Sequence, residues 1–171
     1  MSFEMHAERQ AYAEVLEHEL KQVVRMLRAF PVDRFELRDP ECGHSARELA
    51  LQFVAHANGI EDIASRSVMP HEPITACTRT DIQLKFETAA LGAYAALLTP
   101  CAGRWDELLE APASLAPWRH ARRGELLWIA LRAFVRHDRH FAIHLRAAGH
   151  DDGGRRTHRS RVPVDTFAIG A

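Results

Sequence analysis

Apolar residues recur along this chain at steps of three and four, the spacing that places them on one face of a helix. Tyr12, Leu16, Leu20, Val23, Leu27 and Phe30 form the first such stripe and predict a helix over about residues 3–30, which Pro31 stops. Beyond a loop with Pro40 and Gly43, Ser45-Ala46-Arg47-Glu48 reads as a capping box. Helix 2 follows, with Leu49, Phe53, His56, Ile60 and Ile63 on its buried stripe, expected against helices 1 and 4. Pro70 and Pro73 break the next stretch, and Thr80-Asp81-Ile82-Gln83 predicts a second capping box. Ile82, Phe86, Ala89, Ala93 and Leu97 mark helix 3, closed by Pro100. In the long connection that follows, Trp105-Asp106-Glu107-Leu108-Leu109 suggests a short helical piece. The last pattern runs from about Glu125 to Ala148, with Gly149 as its C-terminal cap.

Four capped helices without alternating apolar segments predict an all-α fold, a four-helix bundle of the up-and-down type with a long 3–4 connection. Residues 1–150 make the bundle. Residues 151–171 form a polar tail with Arg155, Arg156, Arg159 and Arg161, expected to be mobile because it has too little apolar surface to bury. Those arginines lack interleaved aromatic residues, which favours a solvated tail over a nucleic-acid arm.

With 171 residues, one core is enough. A formal net charge of -1 gives no bulk attraction to nucleic acid or an anionic membrane, so neither is expected as a partner. The N-terminus carries acid where a secretion signal would carry base, and no apolar run approaches the ~18 residues of a membrane span, so a cytoplasmic location is expected. Cys42, Cys77 and Cys101 lie far apart without a Cys-x-x-Cys pair, and read as reduced thiols in loops.

Five of the 11 histidines fall between His120 and His150. His137, His140 and His144 share one narrow stripe of helix 4, beside the apolar stripe of Leu127, Phe134, Phe141 and Leu145. Neighbours three or four apart have Cβ atoms about 5–6 Å apart, close enough for two neutral imidazoles to share a metal ion. His56 supplies a third ligand from the core face of helix 2, where a polar ring needs a partner. Ordinary hydrogen-bonded histidines at the edge of a core remain the competing reading. His6, His18, His44, His71 and His158 lie in terminal, polar-face or loop settings and receive no role.

Leu127-Trp128-Ile129-Ala130-Leu131, then Arg136-His137-Asp138-Arg139-His140, then Leu145-Arg146-Ala147-Ala148-Gly149 resembles, without gaps, the last helix of the DinB/YfiT-like metalloenzymes. In those proteins the helix typically carries a His-His-Arg-Gly-Gln element and ends in Leu-Arg-x-x-Gly. Ser45-Ala46-Arg47-Glu48-Leu49 resembles the start of the family's second helix, and Val162-Pro163 echoes a Val-Pro after its last one. The resemblance implies metal-binding histidines at Gln52, Ala133 and His137, so only one of three ligand positions keeps its residue.

His56 lies one turn beyond Gln52, and His137/His140 about one turn beyond Ala133/His137. If helices 2 and 4 run parallel, a site moved by about 5.4 Å along the bundle would regain three ligands, with His144 as a fourth ligand or a supporting residue. The resemblance then implies a divalent metal, zinc, nickel or iron, and a metal-dependent hydrolase or thiol transferase acting on a small-molecule or thiol substrate. No general base stands out, although Asp138 and Glu61 are near in sequence. The alternative is a non-catalytic bundle that has lost the metal site and acts as a homodimer in a stress or regulatory setting.

Overall fold

The computed structural model describes residues 3–38, 43–65, 74–75, 78–98, 104–110 and 120–150. The three cysteines, Pro40, Pro70, Pro73, Pro100 and the tail 151–171 lie outside the described residues, as do the expectations that fall on them. Four long helices carry the chain: α1 (Phe3–Ala29), α2 (Ala46–Ser65), α3 (Arg79–Leu98) and α4 (Arg123–His150). None of them is long and apolar enough to cross a membrane.

The stripes read from the sequence are the buried faces. Tyr12, Leu16, Leu20, Val23 and Leu27 of α1, Leu49, Phe53 and Ile60 of α2, and Ile82, Phe86, Ala93 and Leu97 of α3 are all buried. Ile63 is partly buried against the same core. Ser45 closes the start of α2 as expected: its hydroxyl accepts the Glu48 amide at 3.1 Å, and the Glu48 carboxylate accepts the Ser45 amide at 3.0 Å.

The cap of α3 sits two residues before the expected one. Thr78 Oγ1 accepts the Asp81 amide at 3.1 Å, and Asp81 Oδ2 accepts the Thr78 amide at 2.8 Å. The aspartate thus serves as the acid of the box, and Thr80 is already in the first turn. At the other end of the bundle α4 runs through Gly149 to His150, so Gly149 is not a left-handed cap; among the described glycines only Gly43 has positive φ, at 73°.

Contacts between helices fix their directions. Trp128 reaches Glu8, Gln22 reaches Asp138, and Phe30 packs on Phe141, so α1 and α4 run parallel. Phe53 packs on Phe86 and Glu61 lies against Gly92, so α2 and α3 also run parallel. His56 meets His137 while the α2 carbonyls of Ile63 and Ala64 meet Arg123, which makes α2 and α4 antiparallel. The bundle is therefore up, down, down, up, and the parallel course of helices 2 and 4 that a displaced metal site required does not occur. Helix α2 packs on α3 and α4 rather than on α1 and α4, with α1 diagonal to it.

The 3–4 connection holds a hairpin instead of a short helix. Leu108–Glu110 (β1) pairs antiparallel with His120–Arg122 (β2), Leu109 opposite Ala121. Trp105 precedes β1 and lies so close to Gly124 that a Cβ there would come within 2.1 Å of the indole nitrogen. Arg123 is buried and donates to the carbonyls of Ile63, Ala64 and Arg104 and to the Glu107 carboxylate. Its guanidinium satisfies α2 carbonyls that have no helical partner of their own, and so joins the end of α2 to the start of α4.

At mid-height Phe53 packs on Phe86, Phe134 and Phe141, with ring centroids 6.1, 5.3 and 5.7 Å away. Phe53→Ala should therefore cost about 3–5 kcal/mol in urea or thermal unfolding, because the surrounding rings belong to two other helices and cannot all collapse into the space.

Candidate functional site

Beside that aromatic cluster, one imidazole from α2 meets one from α4. His56 follows Phe53 by three positions, and His137 falls between Phe134 and Phe141, so each rides the edge of its helix's buried stripe. His56 Nε2 lies 2.9 Å from His137 Nδ1, with ring centroids 4.7 Å apart and planes inclined by 36°. His137 Nδ1 also lies 3.0 Å from the Ala133 carbonyl oxygen.

That second contact assigns the protons. A carbonyl oxygen only accepts, so His137 Nδ1 carries hydrogen and shares it between Ala133 and the lone pair of His56 Nε2. The opposite assignment would press the Nδ1 lone pair against the carbonyl. In the favoured arrangement His137 Nε2 is left with a free lone pair, the form of imidazole that ligates a metal or takes a proton.

Burial keeps the pair uncharged. It is the main cause that pushes His56 down to about 4, with the neighbouring charge of His137 adding to it. His137 is lowered too, first by burial, against the Ala133 carbonyl that favours its proton; His140, Arg136 and His44 add repulsion. The influence of His44 was not legible from the sequence, where it falls in a loop. Its one signal is its place immediately before the cap Ser45.

The other expected ligands are less close. His140 is exposed and meets His137 edge-on, with centroids 6.4 Å apart. His144 is buried two turns beyond His137 on α4. Among the described residues no three His, Cys, Asp or Glu side chains converge as a group that could hold a metal ion. Gln52, one turn before His56, has a buried Oε1 with no hydrogen-bond partner.

Neither acid near the cluster in sequence serves the pair. Glu61 lies against Gly92 of α3. Asp138 is buried towards α1, where Gln22 Nε2 donates to its Oδ2 at 3.4 Å and Oδ1 has no partner. Burial, then repulsion from Glu19, raises the Asp138 carboxyl to about 6.

The same arrangement of helices is found in a solved structure, that of a DinB-like protein (YjoA) from Bacillus subtilis. The two share 18% sequence identity with a TM-score of 0.58, over 85% of this chain and 99% of the other. The fold is DinB-like. No protein-family description and no curated protein matches the sequence. On the DinB-like bundle, one turn forward on α2 and one turn forward on α4 lead in opposite directions, because these helices are antiparallel. His56 consequently meets His137, the one position at which the sequence keeps the residue the resemblance implies.

Two opposed titrations follow. His56 is neutral in the native state down to about pH 4 but protonates near 6.5 when unfolded, so its contribution to stability is present above pH 6.5 and lost as pH falls towards 4. His56→Gln should lose about 1–2 kcal/mol less than wild type between pH 6.5 and 4.5 in urea titrations, a value reduced for the partial exposure of the ring. Asp138 has the opposite sign: the unfolded carboxyl ionises near 3.9 and the native one near 6, so stability falls as pH rises between them. Asp138→Asn should gain about 1–2 kcal/mol over wild type at pH 7.5 and lose that advantage near pH 4.

Proposed function

We propose that this DinB-like bundle binds one divalent metal ion, zinc, nickel or iron, through His56 and His137, and acts as a hydrolase or thiol transferase on a small-molecule or thiol substrate. The observation that carries this reading is two neutral, partly buried imidazoles delivered by different helices with ring nitrogens 2.9 Å apart. His137 would ligate through Nε2, because its Nδ1, the atom 2.9 Å from His56, carries the proton, so His56 would have to turn for its own Nε2 to share the ion. His140 would complete a set of three by a rotamer change from its exposed position, and His144 would stay in a supporting role. Such an ion would supply a bound water or thiolate at neutral pH.

The residues themselves supply the rest. His137 would present Nε2 while the Ala133 carbonyl holds its Nδ1 proton, which fixes the ring. The buried Gln52 Oε1 would accept a hydrogen bond from a bound water or thiol. The scattered cysteines fit a reducing cytoplasm, where this chemistry would operate.

One observation favours a second reading, a non-catalytic bundle. Gln52 and Ala133 occupy two of the implied ligand positions, and the His56–His137 hydrogen bond already satisfies the pair without an ion. Metal analysis of untagged protein separates the two. The first reading expects about one ion per chain, lost in His56→Ala, with binding that weakens as pH falls towards 4, where His56 takes up its proton in the folded protein. Metal-free protein that gains no ion from equimolar zinc, nickel or iron would sink it in favour of the second.

A further inference from the structure

Helix α3 is apolar on two opposite sides. Ile82, Phe86, Ala89, Ala93 and Leu97 face the core, whereas Leu84, Leu91 and Leu98 point outward and are 65%, 72% and 55% exposed. Thr88 and Ala95, also exposed, lie between those leucines. The outward steps are four, three, four and three, an average of 3.5, and no charged residue falls on the seam from Leu84 to Leu98. Single exposed leucines are ordinary. Three in line over about 21 Å of one helix are a strip.

We propose that this outward face of α3 is a dimer interface, covered in solution by α3 of a second copy of the chain. The strip carries both halves of a helix pairing: leucines that project as knobs, and threonine and alanine that leave holes between them. A surface bearing its own complement suits a two-fold contact, in which each chain offers the same patch. A repeat of 3.5 keeps such a seam facing an identical helix along its length, where a single anchor for another ligand would need no period.

Size and charge agree. The 20 residues of α3 present a face about 30 Å by 10 Å. Beside it a groove of about 670 Å3 runs between α1 and α3, floored by Leu20, Val24, Ala90 and Tyr94. Together they extend the apolar surface towards the roughly 800 Å2 per partner of a stable interface. The charges at the rim are largely paired within the chain, Lys21 with Glu17 and Arg28 with Glu87 at 2.9 Å, so a second copy would approach with few lone charges to desolvate.

Sedimentation equilibrium of the full chain at tens of micromolar tests this. Wild type should have about twice the 19.3 kDa chain mass. Leu91→Glu should return it to the monomer with unchanged far-ultraviolet circular dichroism, and Arg132→Glu, on the exposed side of α4, should remain dimeric. If Leu91→Glu lost helicity, Leu84→Glu and Leu98→Glu would be read in its place, with the same expected loss of the dimer. A monomeric wild type would overturn the proposal and leave the strip to another segment of the chain or another protein. Folded α3 variants that stay dimeric would overturn it as well, placing the interface on another face.

Discussion

Phe53 is the point at which the bundle is tied together. Its ring meets Phe86 of α3 and both Phe134 and Phe141 of α4, while Phe141 in turn meets Phe30 at the end of α1, with centroids 5.2 Å apart. Rings at such distances and inclinations add to the burial of their own area. A cluster drawn from all four helices sets their heights relative to one another. His56 lies three residues from Phe53 and His137 three from Phe134, so the same registration brings the two imidazoles level. The histidine pair is a consequence of the aromatic packing before it is anything chemical.

Direction matters as much as height. The buried Arg123 binds the last carbonyls of α2 from the first turn of α4, which is possible only where these helices are antiparallel. That geometry rules out moving a three-histidine site bodily along the bundle axis. It still lets His56 reach His137, because two antiparallel helices cross levels once and the aromatic cluster sets that crossing near their middles.

The legible part of the sequence was the part governed by local rules. Helix faces followed from three- and four-residue spacing, and the Ser45 cap from the reach of one side chain to an amide three residues on. The start of α3 differs from the expected one because Thr78-x-x-Asp81 and Thr80-x-x-Gln83 overlap, and the aspartate makes the stronger acceptor, taking both the amide and the hydroxyl of Thr78. The hairpin was missed because strands of three residues are too short to show alternation. Helix direction left no local trace, since it depends on which helix ends Arg123 and Phe53 join. For the same reason His56 and His137 could be assigned to buried edges, but their 2.9 Å contact, the lock on His137 from Ala133 and the nearby influence of His44 could not.

The energetics of the pair explain why it can persist with or without a ligand. An imidazole buried without a partner costs about 1–3 kcal/mol, and its hydrogen bond returns most of that, so the neutral pair is nearly self-sufficient. A single proton joins His56 Nε2 and His137 Nδ1, and that proton lies where an ion bridging the same two atoms would have to sit. An ion held through His137 Nε2 would avoid the conflict: the Ala133 carbonyl would keep the Nδ1 proton, and His56 would have to turn its own Nε2 away from it. The side chain that would have to move is therefore His56, whose ring has no second hydrogen bond among the described contacts. His137, with two contacts, is the more firmly held half of the pair and His56, with one, the less, so a ligand would find its room on the α2 face, with Gln52 one turn away.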